Sequence, residues 1–188
     1  MKKQAVALAF AAASLLSSGA AMAQQIYVGG AIGQGHADVD CFGASNCDKT
    51  DTAYKLFAGY GFGNGLSVEG GYMSFGKATA SAPGASSEIE SGGPHLGVAF
   101  NAPIGNSGFG LGARVGVISM KTKISASLVG FGSGSESETN AEPYFGFGAS
   151  YAFAPHLRMD LGADFSRAEF QGDKADVRAV TLGLTYTF

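Results

Sequence analysis

From Gln25 to the C-terminus, apolar residues recur at every second position in eight separate stretches. A period of two sends alternate side chains to opposite faces of a β-strand. The clearest stretch is the last, 178–188. Val180, Leu182, Leu184, Tyr186 and Phe188 share one parity, and Ala179, Thr181, Gly183, Thr185 and Thr187 share the other. One face is greasy and ends in two aromatics, while the other is small and polar. A strand with lipid on one side and a polar lumen on the other has this pattern, with aromatics where lipid meets water.

The other seven stretches repeat it. Residues 25–34 align Ile26, Val28, Gly30 and Ile32, and 52–62 align Tyr54, Leu56, Ala58, Tyr60 and Phe62. Strand-like alternation continues over 66–75, over 91–101 with Leu96, Val98 and Phe100, and over 109–121 with Phe109, Leu111, Ala113, Val115 and Val117. It returns over 142–153, where Phe145, Phe147, Ala149, Tyr151 and Phe153 align, and over 157–170, where Leu157, Met159, Leu161, Ala163 and Phe165 do. Strands of this length suit the roughly 9–11 residues that cross a bilayer at a tilt. The connections alternate in length. Gly63-Asn64-Gly65, 102–108 and 154–156 are short turns, whereas 36–51, 76–90, 122–141 and 171–177 are mostly longer and polar. Short turns at one rim and long loops at the other predict an all-β fold, an eight-stranded antiparallel up-and-down transmembrane β-barrel. Lipid offers no backbone partner, so such a sheet must close, the last strand pairing with the first. An even strand count puts both termini at the short-turn rim, the periplasmic side.

Composition changes the picture in three places. Met1-Lys2-Lys3, the apolar run from Ala5 to Leu16 and Ala21-Met22-Ala23 form a basic start, a short apolar core and a small-residue cleavage site. This reads as a signal peptide over 1–23, leaving one barrel domain over 24–188. Loss of Lys2 and Lys3 leaves ten basic against fifteen acidic residues, a net charge of −5 that argues against a nucleic-acid partner. Thirty glycines with five prolines suit many short strands and turns. Cys41 and Cys47 are the only cysteines, and an exported chain crosses an oxidising compartment, so a disulfide is expected rather than a metal site. Its closed loop is short and its entropic contribution small.

The chain resembles the OmpA/OmpX-type small outer-membrane barrels. Gln25-Ile-Tyr-Val-Gly-Gly-Ala-Ile-Gly33 resembles their first strand, and Asp51-Thr-Ala-Tyr-Lys-Leu-Phe-Ala-Gly-Tyr60 resembles their second. The closing Leu182-Gly-Leu-Thr-Tyr-Thr-Phe188 resembles their C-terminal assembly signal, with Tyr186 and Phe188 as its aromatics. The resemblance implies a porin-family protein of the Gram-negative outer membrane. It also implies lipid and lipopolysaccharide as surroundings, and the barrel-assembly machinery and periplasmic chaperones as partners in biogenesis. No peptidoglycan-binding domain follows, so a cell-wall tether is not implied. A monomer is expected.

Parity sorts the charges. Lys55, Glu69, Arg114, Glu142, Arg158, Asp160 and Asp164 fall opposite the apolar faces, three basic against four acidic. An eight-stranded barrel has an interior that side chains just fill, and charges packed there must pair. The expected function is therefore a structural envelope protein with a plugged, charge-paired lumen. A narrow channel for ions or small solutes is the alternative on the same residues. A surface adhesin acting through its loops is another, with Leu128-Val-Gly-Phe131 as a greasy patch in one of them. Catalysis is not expected, nor is a metal or cofactor. His156 lies in a short turn, His95 faces inward without a serine at a supporting spacing, and His36 opens a loop near Asp38 and Asp40. Neither G-x-S-x-G nor H-E-x-x-H is present.

Overall fold

The structure, a computed structural model, describes residues 25–38, 46–83, 85–128 and 132–188. The expected leader over 1–23, Asp40 and Cys41 lie outside the described residues, as do 129–131 of the greasy patch. Nine strands follow one another: β1 (Gln25–Ala37), β2 (Asn46–Asp48), β3 (Thr50–Gly61), β4 (Leu66–Ala82), β5 (Ala85–Pro103), β6 (Phe109–Leu128), β7 (Gly132–Ala154), β8 (Leu157–Phe170) and β9 (Asp173–Thr187). Eight of them close a ring in the order β1-β3-β4-β5-β6-β7-β8-β9, every neighbour antiparallel, with β9 returning to β1 from Tyr27↔Thr187 to Ala37↔Val177. The ninth, β2, is an addition on the edge of β4, from Asn46↔Ser81 to Asp48↔Thr79.

Two-residue alternation carries through to the surface. Ile32, Leu56, Leu96, Val115, Phe147 and Leu182 all point outward, each more than half exposed. Tyr60, Phe62, Phe109, Tyr151, Tyr186 and Phe188 edge this apolar belt near the short turns, and Tyr54, Tyr72, Phe145 and Phe165 edge it at the other end. The tight turn between β3 and β4 needs glycine. Gly63 and Gly65 have φ of 82° and 86°, and the Leu66 amide donates to Asn64 Oδ1 at 3.1 Å. Both chain ends of the barrel lie at this short-turn rim, where the Phe188 amide donates to the Ile26 carbonyl at 2.9 Å.

The other end departs from expectation. Segments 76–90 and 122–141, read as polar loops, are largely paired strand: β4 and β5 stay paired to Ala82↔Ala85 past a bulge between Ser74 and Gly76, and β6 and β7 stay in register to Leu128↔Gly132. Outside lipid, a strand no longer needs an apolar outer face, so the sequence signal used to delimit strands stops while the hydrogen-bond ladder continues. The segment 171–177 is likewise a two-residue turn at Gln171 and Gly172, both with positive φ, followed by β9.

Two seams open at this end. Pairing of β3 with β4 stops at Tyr54↔Ser74, and pairing of β7 with β8 stops at Phe145↔Phe165. Both stops lie at the rim of the apolar belt. Below them every strand is paired on both sides, as lipid demands; above them water can serve the freed groups. The barrel thus splits into two four-stranded sheets, β4–β7 and β8-β9-β1-β3, that pack face to face. Met73, Phe75, Ile118, Met120 and Tyr144 from the first sheet meet Ala53, Ala168, Val177 and Ala179 from the second in one buried apolar cluster.

Close contact between the sheets depends on Gly35. A Cβ there would collide with the backbone carbonyl of Phe75, which cannot rotate away as a side chain could. Gly35→Ala is expected to destabilise the folded barrel by about 1–3 kcal/mol or more. Urea unfolding in detergent should show it against Gly134→Ala, whose added Cβ meets nothing within 4 Å.

Candidate functional site

Inside the belt, the inward parity collects the charged side chains. Lys55 on β3 and Asp164 on β8 reach across the lumen, and Lys55 Nζ donates to Asp164 Oδ2 at 2.8 Å. Both are almost wholly buried, at 2% and 1% side-chain exposure. Tyr144 Oη donates to the second oxygen, Oδ1, at 2.8 Å, and Arg114 Nη1 lies 3.7 Å from it. Arg114 Nε is also 3.9 Å from Glu69 Oε1, so one guanidinium bridges two carboxylates. Glu69 in turn accepts from Tyr27 Oη at 3.2 Å, and Tyr27 Oη is 2.9 Å from Ser67 Oγ.

Glycine makes the room for these groups. Arg114, Gly146 and Asp164 are register partners on β6, β7 and β8, so cation and anion meet over a residue with no side chain. A Cβ on Gly146 would meet Asp164 Oδ1 and Arg114 Cγ. The Phe57 ring lies over Gly29, and the Tyr27 ring lies over Gly59 in the same way. Lys55 Nζ and Arg114 Cζ sit 5.5 and 5.8 Å from the Phe57 ring centroid, within cation–π range.

A second, smaller group stands nearer the short-turn rim. Arg158 Nε donates to Asp160 Oδ1 at 2.8 Å, and Thr185 Oγ1 donates to Asp160 Oδ2 at 2.6 Å. Between this rim and the central cluster lies an open vestibule of about 300 Å³, whose walls include Tyr27, Glu69, Arg114, Ser150 and Arg158. Deeper in, beside Lys55 and Phe57, the free space shrinks to about 30 Å³.

Six of the seven expected lumen residues therefore meet in two groups. Glu142 joins neither. Its side chain is buried next to Ile118 in the register, without an ion pair or hydrogen bond among the described residues. His95 is also buried, 4.0 Å from Glu69 Oε1 through Nε2 and packed against Tyr144, with no hydrogen bond on either ring nitrogen. Two features escaped the sequence reading. Tyr27 and Tyr144 supply hydroxyls to the carboxylates, which their inward parity could have shown. The apolar tier above the charges also had a signal. At Ile118 and Met120 apolar residues cross to the inward parity of β6, just where Lys121 and Lys123 take the outward one.

The remaining histidines sit at the rims. His36 places Nε2 3.1 Å from Asp38 Oδ1 and Nδ1 3.1 Å from Thr50 Oγ1, while His156 Nδ1 is 2.9 Å from the Thr187 carbonyl. Among the described residues, no group of three or more His, Cys, Asp or Glu is placed to hold a metal ion.

A closed sheet with an apolar outer belt and a polar, filled interior defines a protein that spans a membrane by strands. The chain belongs to the outer membrane protein beta-barrel domain family, whose profile matches residues 6–188. No curated protein matches it. Among solved structures it is similar to Ail, the attachment invasion locus protein of Yersinia pestis, determined with the heparin analogue sucrose octasulfate. That match has 20% identity and a TM-score of 0.54, covering 88% of this chain and 97% of that one. It is similar to Neisserial surface protein A at 14% identity and TM-score 0.57, covering 88% and 97%. It is also similar to OprG from Pseudomonas aeruginosa at 16% and 0.57, covering 88% and 95%. At these identities the likeness is one of fold.

Proposed function

We propose that this protein is a structural component of the Gram-negative outer membrane whose lumen is closed to solutes, and that it is not an enzyme. The observation that carries the reading is the double fill of the interior. The Lys55–Asp164–Tyr144–Arg114–Glu69 cluster occupies the middle, and the apolar cluster of Met73, Phe75, Ile118 and Met120 caps it. An ion entering the vestibule would have to break a buried ion pair and then cross an apolar layer, each unfavourable. The leader over 1–23 would be removed on export, both termini would face the periplasm, and the long hairpins would stand outside the cell. Lipid and lipopolysaccharide would surround a monomer. Barrel-assembly machinery and periplasmic chaperones would meet the Tyr186–Phe188 end during insertion. A Cys41–Cys47 disulfide would hold β2 to its loop, in keeping with the lack of any free cysteine among the described residues.

Planar-bilayer recording of the mature protein tests the closed lumen. No steady conductance is expected; persistent channels of porin size would replace this reading with that of a pore. A surface adhesin is the second reading, favoured by the β4–β7 sheet standing clear of the belt. Binding of whole cells to host matrix, lost on removal of 126–138, would support it.

A further inference from the structure

The vestibule at the short-turn rim stays open, although the interior of an eight-stranded barrel is only just wide enough for its side chains to fill. Glycine keeps it so. Gly110 and Gly112 take two successive inward positions of β6, and Gly61 takes one on β3, so these stretches of wall carry no side chain. The space of about 300 Å³ lies at the lower end of the roughly 300–1,000 Å³ that ligand pockets span. Phe57 and Tyr27 cover Gly29 and Gly59 deeper in the lumen, but no ring covers Gly110 or Gly112.

Polar groups converge on this space that the fold itself does not use. Ser150 is only 7% exposed, yet its hydroxyl makes no hydrogen bond among the described residues, and neither does the side-chain amide of Asn101. A Cβ on Gly110 would lie 2.8 Å from Ser150 Oγ and 2.9 Å from Asn101 Oδ1, so both side chains lean over that glycine. Arg158 donates to Asp160 through Nε, and its two terminal nitrogens make no hydrogen bond among the described residues. The neighbouring carboxylates, by contrast, are occupied. Asp160 accepts from Arg158 on one oxygen and from Thr185 on the other. Glu69 accepts from Tyr27 on Oε2 and faces Arg114 and His95 with Oε1. What remains unused is mainly donor capacity: the guanidinium end of Arg158, the Asn101 amide and the Ser150 hydroxyl. Partly buried donors without an acceptor are costly, and an acceptor-rich ligand relieves that cost.

We propose that the vestibule is a binding site for a small carboxylate bearing hydroxyl or amino groups, of the size of an amino acid or a sugar acid. The carboxylate would take the terminal N–H groups of Arg158, a geometry that suits its two oxygens. The remaining polar groups of the ligand would exchange hydrogen bonds with Asn101 and Ser150 over the bare wall of Gly110 and Gly112. The site is a dead end, because the Lys55–Asp164 cluster fills the lumen beyond it. Naming the periplasm as the source of the ligand rests on the orientation proposed above; the binding itself does not.

A free solute and the C-terminal end of a polypeptide offer the same group, so the test carries probes for both. The mature barrel, refolded in lauryldimethylamine oxide micelles, is titrated with D-gluconate, glucose, trialanine and trialanine amide, and followed by calorimetry and backbone-amide NMR shifts. Gluconate is expected to bind and to shift Asn101, Gly112, Ser150 and Arg158, with glucose weaker by roughly tenfold or more for want of the charge. R158Q should weaken gluconate by a similar factor, and N101A/S150A by roughly threefold or more. G112V fills the space without a clash, since its Cβ meets only Asn101 Nδ2 at 3.5 Å and the Phe100 carbonyl at 3.6 Å, and it should abolish binding. A heat-sensitive gel shift confirms that each variant is folded. Glucose binding as tightly as gluconate, unchanged binding in both R158Q and G112V, or no binding of either carboxylate at tens of millimolar would each overturn the site. Trialanine binding more tightly than gluconate would overturn the free solute in favour of a polypeptide end. Steady bilayer conductance with gluconate binding intact would overturn the closed lumen and leave this site standing.

Discussion

Asp164→Ala is expected to lower the stability of the folded barrel by about 3–5 kcal/mol, the cost of leaving a buried charge without its partner. Asp164 takes Lys55 on one oxygen, and on the other it accepts from Tyr144 and faces Arg114. Its removal strands an ammonium that is 2% exposed and a buried hydroxyl at the same time. Arg158→Ala should cost less, because Arg158 is partly open to the vestibule and only its pair with Asp160 is lost. Urea unfolding followed by the unheated gel shift measures both. The double variant K55M/D164L separates attraction from burial: if well-packed apolar groups restore most of the loss, the ion pair is there because charges in the lumen must be matched, not because the pair itself stabilises strongly. An Asp164→Ala midpoint equal to wild type would show that water reaches Lys55 and that the lumen is not closed at this level.

Phe188 is expected to matter in a different way. Its ring is 69% exposed, touches Tyr186 edge-on at 5.1 Å, and its amide makes one hydrogen bond, to Ile26. Little of the folded barrel depends on it. Phe188→Ser, or deletion of Phe188, should therefore leave in-vitro refolding and urea stability nearly unchanged. In cells it should strip most of the protein from the outer membrane, with the unassembled chain degraded in the periplasm. Normal outer-membrane levels of either variant would remove the assembly role from this residue while leaving the closing β1–β9 pairing untouched. Loss of stability in vitro as large as the loss in cells would point to a structural role instead.

The barrel was legible because lipid imposes its rule on every residue of the belt. Leu182, Leu184 and Tyr186 cannot trade places with Thr181, Gly183 and Thr185 without turning polar groups to lipid, so the period of two is written without interruption. The lumen charges were legible for the same reason, as the members of the opposite parity. Where lipid ends, the rule ends. Ser133 to Thr139 alternate hydroxyl with glycine or carboxylate and bear no apolar stripe, yet they form strand. The register with β6, set further down by Val115↔Phe145, propagates upward along a ladder that composition does not reveal.

Partner choice inside the lumen was equally out of reach of parity. Arg114 and Arg158 both point inward, but only Arg158 has a charged neighbour two steps along its own strand, Asp160; Arg114 has Gly112 and Gly116 there. Arg158 keeps that local partner, whereas only the shear of the closed sheet brings Arg114 between Glu69 and Asp164 and strands Glu142 beside Ile118. The sequence by itself determined the strands of the belt, which face of each meets lipid, and the sign and number of the charges that had to be enclosed, because each of these follows from one residue and its neighbours along the chain. The tertiary structure alone decided which charges pair across strands, and that two sheets part above the belt around an apolar core, because each of these depends on the stagger between strands far apart in sequence.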